Sequence, residues 1–315
     1  MRVPDTNSAI IVTGSLNMDF VVQVDRLPAP GETTLGSNFL TIPGGKGANQ
    51  ANAAGRLAAA GTVRMIGCTG EDAFATQLKD SLMASGVDVS CVRQVAGVST
   101  GVALIWVERS GQNSIVVASG ANNEVNPEMI AGLGEAYAGA ACALFQLETP
   151  IDAVEAALST ARAAGAMTIL DPAPARQLPA SLLRLVDLMT PNETEACILL
   201  GRPPARLAPA DAPSLAHEVL GLGPKAVVLK LGDAGCFYSD GRTEVFSAGF
   251  KVDAVDTTAA GDTFNAALAI ALSEGRPIED ALRFANAAAA ISVTRLGAQS
   301  SAPGRAEVEE FLLIR

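Results

Sequence analysis

The sequence predicts a three-layer α/β/α fold: a mostly parallel central sheet with helices on both faces, and a small separate β-sheet beside it. Three observations carry this. From residue 120 onward, short apolar runs alternate with helical stretches, the rhythm that puts crossover helices on both faces of a parallel sheet. The run AVVLK at 226–230 is apolar until its last residue, as a strand buried on both faces must be. Outside that rhythm, residues 102–107 and 114–117 flank a glycine-containing turn at 109–112, the signature of a hairpin. With 315 residues, 49% of them hydrophobic and 17% charged, one domain spanning 1–315 can bury a large core, and a disordered chain is excluded.

Taken in order, AIIVTG at 9–14 reads as a buried strand ending at a glycine turn. If residues 17–24 continue as a strand, Asn17 and Asp19 share one face. They stand just beyond a buried strand, where open α/β sheets bind ligands; the alternative is two turn residues bonding their own backbone. Residues 48–60 read as a helix. The hairpin, with residues 17–42, can form the small sheet, or it can be an edge of the main one. Strands at 141–146, 167–171 and 185–190 precede helices at 151–164 and 193–200, and a further helix is read at 280–294. Residues 201–213, rich in Pro, Ala and Arg, read as a surface loop rather than a linker.

Charge and composition exclude several functions. A net charge of -11 opposes binding to nucleic acid or an anionic membrane, though a local positive site can exist within an acidic protein. No apolar run reaches the ~18 residues of a membrane helix, and the polar start at 1–9 lacks a signal-peptide pattern, so a soluble cytoplasmic protein is expected. Five scattered cysteines form no C-x-x-C pair, which speaks for reduced thiols. The single histidine, His217, has no partner pattern of a catalytic triad.

Two glycine-rich segments carry the chemistry. DTTAAGDTFN at 256–265 opens a long small-residue helix; a small-residue turn at a helix N-terminus presents unpartnered N–H groups to an anion. Asp262 in the same turn reads equally as a helix cap or as a base. PGGKGANQA at 43–51 leads into the second helix. It is not a Walker A loop, because that pattern would place its first glycine at Leu40 and its Ser or Thr at Gly47. No G-x-G-x-x-G fingerprint follows a strand, which weakens a dinucleotide reading.

These segments, with GSLNMD at 14–19, PGET at 30–33, CTGED at 68–72, STGVA at 99–103, QLE at 146–148, DPAPA at 171–175, TPNETEA at 190–196 and VTRLGAQ at 293–299, resemble the ribokinase-like carbohydrate kinase family over nearly the whole chain, in order. The resemblance implies ATP-dependent phosphorylation of a sugar hydroxyl, the 5-hydroxyl of D-ribose first. Deoxyribose, another pentose, a ketohexose or a nucleoside are alternatives. A sugar-binding regulator without catalysis is the competing class, and the intact Asp262, Gly261 and Asn192 speak against it.

The same resemblance implies residue roles. Asp262 accepts the hydroxyl proton, while Ala259, Ala260 and Gly261 supply N–H groups to the transferring phosphate. Asn17, Asp19, Gly45, Lys46, Gly47, Asn49 and Glu148 bind the sugar; for Lys46 the alternative is a solvated loop lysine, and for Glu148 a helix-terminal charge. Asn192, Lys230, Gly232, Asp233, Ala234, Gly235, Gly261 and Asn286 serve the nucleotide. Lys230 stands where the family's pattern has threonine, and either strengthens the charge pairing or turns away. Asn286 either lies near adenine or is a polar residue on a helix face. Glu195 is expected to reach Mg2+ through water, although Asn192 and Glu195 also fit a capping box. Asp256, Thr258, Ser292, Arg295, Gly297 and Ser301 correspond to a site for an activating monovalent cation, K+. Segments 17–42 and 97–119 are implied to form a lid over the sugar and a homodimer contact, with the 201–213 loop on the nucleotide side.

Overall fold

A computed structural model of the chain describes residues 9–109 and 113–315. The start of the chain, 1–8, and the hairpin turn at 110–112 lie outside the described residues. In chain order the elements are β1 Ala9–Thr13, β2 Asn17–Val24, β3 Ser37–Gly44, α1 Lys46–Leu57, β4 Val63–Gly70, α2 Ala73–Ala84, β5 Val87–Val95, β6 Gly101–Glu108 and β7 Asn113–Ala118. There follow α3 Pro127–Gly132, β8 Ala140–Phe145, α4 Ile151–Ala163, β9 Met167–Leu170, α5 Ala180–Leu183, β10 Leu188–Met189, α6 Glu193–Leu199 and α7 Ala212–Leu220. The last are β11 Ala226–Lys230, β12 Gly235–Ser239, β13 Glu244–Ala248, α8 Ala260–Ser273, α9 Ile278–Ser292 and α10 Arg305–Leu313.

Nine strands form the main sheet in the order β13-β12-β11-β10-β9-β8-β1-β4-β5. All its pairings are parallel except β11–β12 and β12–β13. Because side chains alternate across a strand, each strand feeds two cores. Ile10 and Val12 face one core with α1, α8 and α9; Ile11 faces the other with α4 and α7. Val228 and Val227 divide in the same way. This is the expected three-layer arrangement.

The second sheet has the order β3-β2-β6-β7, with β2 and β6 parallel and the two outer pairs antiparallel. The 102–117 hairpin therefore belongs to the small sheet and is not an edge of the main one. Helix α1 begins at Lys46 and ends at Leu57, earlier at both ends than the 48–60 reading. Gly45, at φ 88, makes the N-cap, and Ala58 is already extended. The chain must turn there into β4, and that outweighs the helix preference of the following alanines. The 201–213 loop ends in a 3-10 turn, and Ala212 and Pro213 already belong to α7, where proline fits the first turn.

Candidate active site

The C-terminal ends of β1, β8, β9 and β11 point to one edge of the main sheet, and the N-termini of α1, α6 and α8 meet there. A cleft of ≈ 750 Å3 lies at this edge, lined among others by Lys46, Asp171, Asn192, Glu195, Lys230, Gly232, Asp233, Ala234 and the turn from Ala259 to Asp262. Arg206, Leu207 and Pro209 from the 201–213 loop close one side of it.

Helix α8 has Ala259 as its N-cap, a left-handed residue at φ 57 that gives no side-chain cap. A non-glycine residue in that region carries local strain; the turn from Ala259 to Asp262 lines the cleft, with the Ala260 N–H held by Thr257 O at 3.3 Å. Asp262 is not the cap. It sits inside the first turn, 6% exposed, with Asn49 Nδ2 donating to Oδ2 at 3.2 Å and Gln50 Nε2 donating to Oδ1 at 3.0 Å. Burial pushes its carboxyl up to about 6; the Lys46 charge opposes the rise and Asp171 adds to it.

Near Asp262, and like it close enough to Asp19 to act on its charge, Glu148 centres a group of polar residues. Its Oε2 accepts from Ser15 Oγ at 2.5 Å, from the Lys46 backbone N–H at 3.1 Å and from Asn17 Nδ2 at 3.4 Å. Asn17 is held in turn by Asn122, whose Nδ2 donates to Asn17 Oδ1 at 2.7 Å. Asp19, on β2 two residues beyond Asn17, shares its face as the spacing requires. Burial, with Glu148 and Asp262 as like charges nearby, raises Asp19 to about 7. Gly45 and Gly47 work as backbone joints. A Cβ on Gly45 would stand 2.6 Å from Asn17 N, and one on Gly47 2.6 Å from Ser15 N. The structure thus uses Gly47 to dock α1 against the turn after β1.

Lys46 lines the cleft beside Asp262 rather than hanging in solvent. Burial works against its charge, but Asp262, Asp171, Glu148 and Glu195 together outweigh that and keep it protonated. Lys230 does not turn away. Its ammonium donates to Asp171 Oδ1 at 2.9 Å and lies 3.3 Å from where a Cβ of Gly261 would be. Burial again opposes the charge, and Asp171 and Glu195 overcome it.

Asn192 and Glu195 form the capping box of α6: Glu195 N–H donates to Asn192 Oδ1 and Asn192 N–H to Glu195 Oε2, both at 2.8 Å. Both residues also line the cleft, so forming the capping box does not remove them from it. Burial raises the Glu195 carboxyl against the pull of Lys230. Gly235 turns the chain into β12 and is not among the cleft-lining residues. Neither is Asn286, whose Nδ2 donates to Ser247 O and Oγ, both at 3.1 Å, and so fastens α9 to β13.

Behind the α8 turn, Asp256 joins two segments. It accepts from the Thr258 N–H at 2.9 Å and from the Gly297 N–H at 2.9 Å. Arg295 N–H donates to Ser292 O, while the Arg295 side chain pairs with Glu307. Ser301 Oγ donates to Ala298 O at 2.8 Å. Four residues not singled out in the sequence belong to the site: Ser15, Gln50, Asn122 and Asp171. Their partners stand far away in the chain, and no local spacing signals them. His217 is half-exposed on α7, 3.2 Å from Glu244, away from this cleft.

An uncapped helix N-terminus, a buried carboxylate and two lysines around one cleft make a phosphoryl-transfer arrangement. The chain belongs to the pfkB family of carbohydrate kinases, whose sequence profile matches residues 7–305. It is 45% identical over 306 residues to a ribokinase of Haemophilus influenzae, covering 96% of this chain and 98% of that one. It is 34% identical over 304 residues to a deoxyribokinase of Salmonella typhi, covering 96% and 98%. The structure of Arabidopsis thaliana ribokinase complexed with ribose and ATP superposes with a TM-score of 0.89 at 35% identity, covering 99% of both chains.

Proposed function

We propose that the chain transfers the γ-phosphoryl group of ATP to the 5-hydroxyl of D-ribose, giving D-ribose 5-phosphate and ADP. One observation supports the residue roles: Asp262 lines the cleft with Lys46 and Lys230 in the uncapped first turn of α8, and its charge reaches Asp19 of the Asn17–Asp19–Glu148 group. The sugar hydroxyl gives its proton to Asp262 while its oxygen bonds to phosphorus. The bond from phosphorus to the bridging oxygen breaks, and its electron pair leaves with ADP. The N–H groups at Ala259 and Gly261 hold the equatorial oxygens, joined by that of Ala260 once it leaves Thr257 O, and the two lysines offset their charge. Asn17, Asp19 and Glu148 have the donors and acceptors to hold vicinal hydroxyls.

Nucleotide kinases of this kind use Mg2+ on the phosphates. Among the described residues no three metal-binding side chains cluster, and Glu195 is one of several acidic side chains that line the cleft; that suits an ion that keeps its water and the nucleotide's oxygens as ligands. The loop pair tied by Asp256 is proposed to hold K+ through carbonyl oxygens. The small sheet, 17–42 with 97–119, is proposed as a lid within a single domain that excludes water from the reaction and joins two copies. No helix among the described residues is long and apolar enough to cross a membrane. Reduced cysteines, all unpaired among the described residues, support action in the cytoplasm.

A second reading keeps the mechanism and changes the acceptor to deoxyribose, favoured by the deoxyribokinase relative. Coupled ADP release against a sugar panel, in K+ and in Na+ buffers, separates the two. A kcat/KM for D-ribose well above all others, enhanced by K+, supports the first. A preference for deoxyribose replaces it, and equal rates in the two salts remove K+.

A further inference from the structure

We infer that Asp171 is a positioning residue for both ends of the phosphoryl transfer: one oxygen fixes the Lys230 ammonium against the α8 anion turn, and the other, through the Gln50 amide, fixes the base Asp262. This rests on the phosphoryl-transfer reading above.

Asp171 follows β9 directly and is 2% exposed. Its Oδ1 accepts from Lys230 Nζ at 2.9 Å and its Oδ2 from Gln50 Nε2 at 3.0 Å. The same Gln50 nitrogen donates to Asp262 Oδ1 at 3.0 Å. Both hydrogens of one amide are therefore committed to two carboxylates. The amide cannot turn over, because Gln50 Oε1 accepts from Gln146 Nε2 at 2.6 Å. Base, bridge and tether thus form one rigid unit.

Lys230 has a long flexible stem and three donors. Asp171 takes one and holds the ammonium beside Gly261, so that the remaining donors stand next to the N–H groups of Ala259, Ala260 and Gly261. A phosphoryl oxygen held by that turn lies against the same ammonium. The group farthest from the adenosine is the one this cation touches, which makes Lys230 a catalytic contact for the γ-phosphoryl. Without Asp171 the nearest remaining attraction for Lys230 is Glu195. The ammonium then moves toward α6, away from the anion turn, and Gln50 loses one of its two anchors.

The experiment uses the full chain with Asp171→Asn, Lys230→Met and the double variant. Steady-state kinetics are paired with calorimetric binding of ADP and of a non-hydrolysable β,γ-imido analogue of ATP. Asp171→Asn is expected to lower kcat about 10²-fold, the usual result of misplacing a reacting group. The imido analogue should bind about tenfold more weakly, with ADP affinity and sugar KM changed by no more than about twofold. Lys230→Met should show the same pattern, and the double variant should be no worse than the worse single one, since the residues act as a unit. Wild-type kcat in Asp171→Asn, equal losses for ADP and the analogue, or multiplying losses in the double variant would each overturn the inference. If Asp171→Asn does not fold, the analogue-to-ADP affinity ratio of Lys230→Met decides: unchanged, it refutes the inference. If the unmodified chain phosphorylates no sugar, the functional reading fails while that binding ratio still tests this one.

Discussion

Asp262 is buried and its oxygens are taken up by two side-chain amides, so exchanging it for asparagine removes charge without opening a cavity. Asp262→Asn should fold with a near-normal melting temperature and lose roughly 10²–10⁴-fold in turnover, the span expected for a positioned proton acceptor. Near-normal turnover would reject its role as base. The pH dependence follows from the same surroundings. Burial lifts Asp262 to about 6, and only the ionised form accepts a proton, so kcat/KM should fall as pH drops through about 6. Asp19, raised to about 7, titrates nearby, and with Asp171 and Lys46 also facing Asp262 the limb reports the group rather than one residue. A profile still flat at pH 5 contradicts this assignment. Asp262 was legible in the sequence as one of two roles; the structure removes the cap, since Ala259 takes that position, and leaves the base as the proposal. Gln50 stood within a segment singled out in the sequence but was given no role, because it meets Asp262 across 212 residues and a motif reads only its own neighbours. Lys230 was named but undirected, since its orientation is set by Asp171, 59 residues away.

Helix α1 carries Lys46, Asn49 and Gln50 on its first turn, so its seating sets the geometry of the base. Gly47 sets the seating. A methyl group there would stand 2.6 Å from Ser15 N and 2.7 Å from Gly14 C, both backbone atoms that cannot move aside alone. Gly47→Ala should therefore cost about 1–3 kcal/mol, as overpacking in a close-packed interior does. The expected signs are a lowered melting temperature in calorimetry and a reduced kcat, because Asn49 and Gln50 shift with the helix. Unchanged stability would show that α1 is free to rise from the β1 turn. At this scale the sequence was informative about which elements exist and less so about where they end. The Asn192–Glu195 capping box marked the start of α6 because its signal is local. The end of α1 and the two-residue strand β10, read from sequence as 185–190, are set by the path of the chain between layers, which composition does not record.

At the scale of the whole molecule, the two sheets differ in how they are covered. The main sheet is buried on both faces between two helical layers, and the continuously apolar run at 226–230 with the strand–helix rhythm made that legible from sequence. The small sheet is covered only in part, where Phe20 meets Phe74 of α2 edge-on. Leu40, Leu104, Ile115, Val116 and Val117 are exposed by 41–55%, and β7 is an edge strand. A four-stranded sheet with an open apolar edge invites pairing or packing with another chain. Residues of β7 alternate between the face of Asp19, through Ala103 to Val117, and the face of Phe20, through Leu104 to Val116. One face thus carries Asp19, proposed to bind the sugar, and an apolar strip reaches the rim on either side. A second copy laid lid to lid would cover both strips and close the sugar group from solvent at once. The chain should accordingly sediment at twice its 32.1 kDa mass, and Ile115→Glu or Val116→Glu, which place a charge in the strip, should return it to 32.1 kDa. If the lid closes through the partner, the monomeric variants should also show a raised sugar KM and faster ATP hydrolysis without sugar, while their ATP KM stays put. A wild-type chain that sediments at 32.1 kDa across micromolar concentrations would show instead that the lid closes over its own sugar alone.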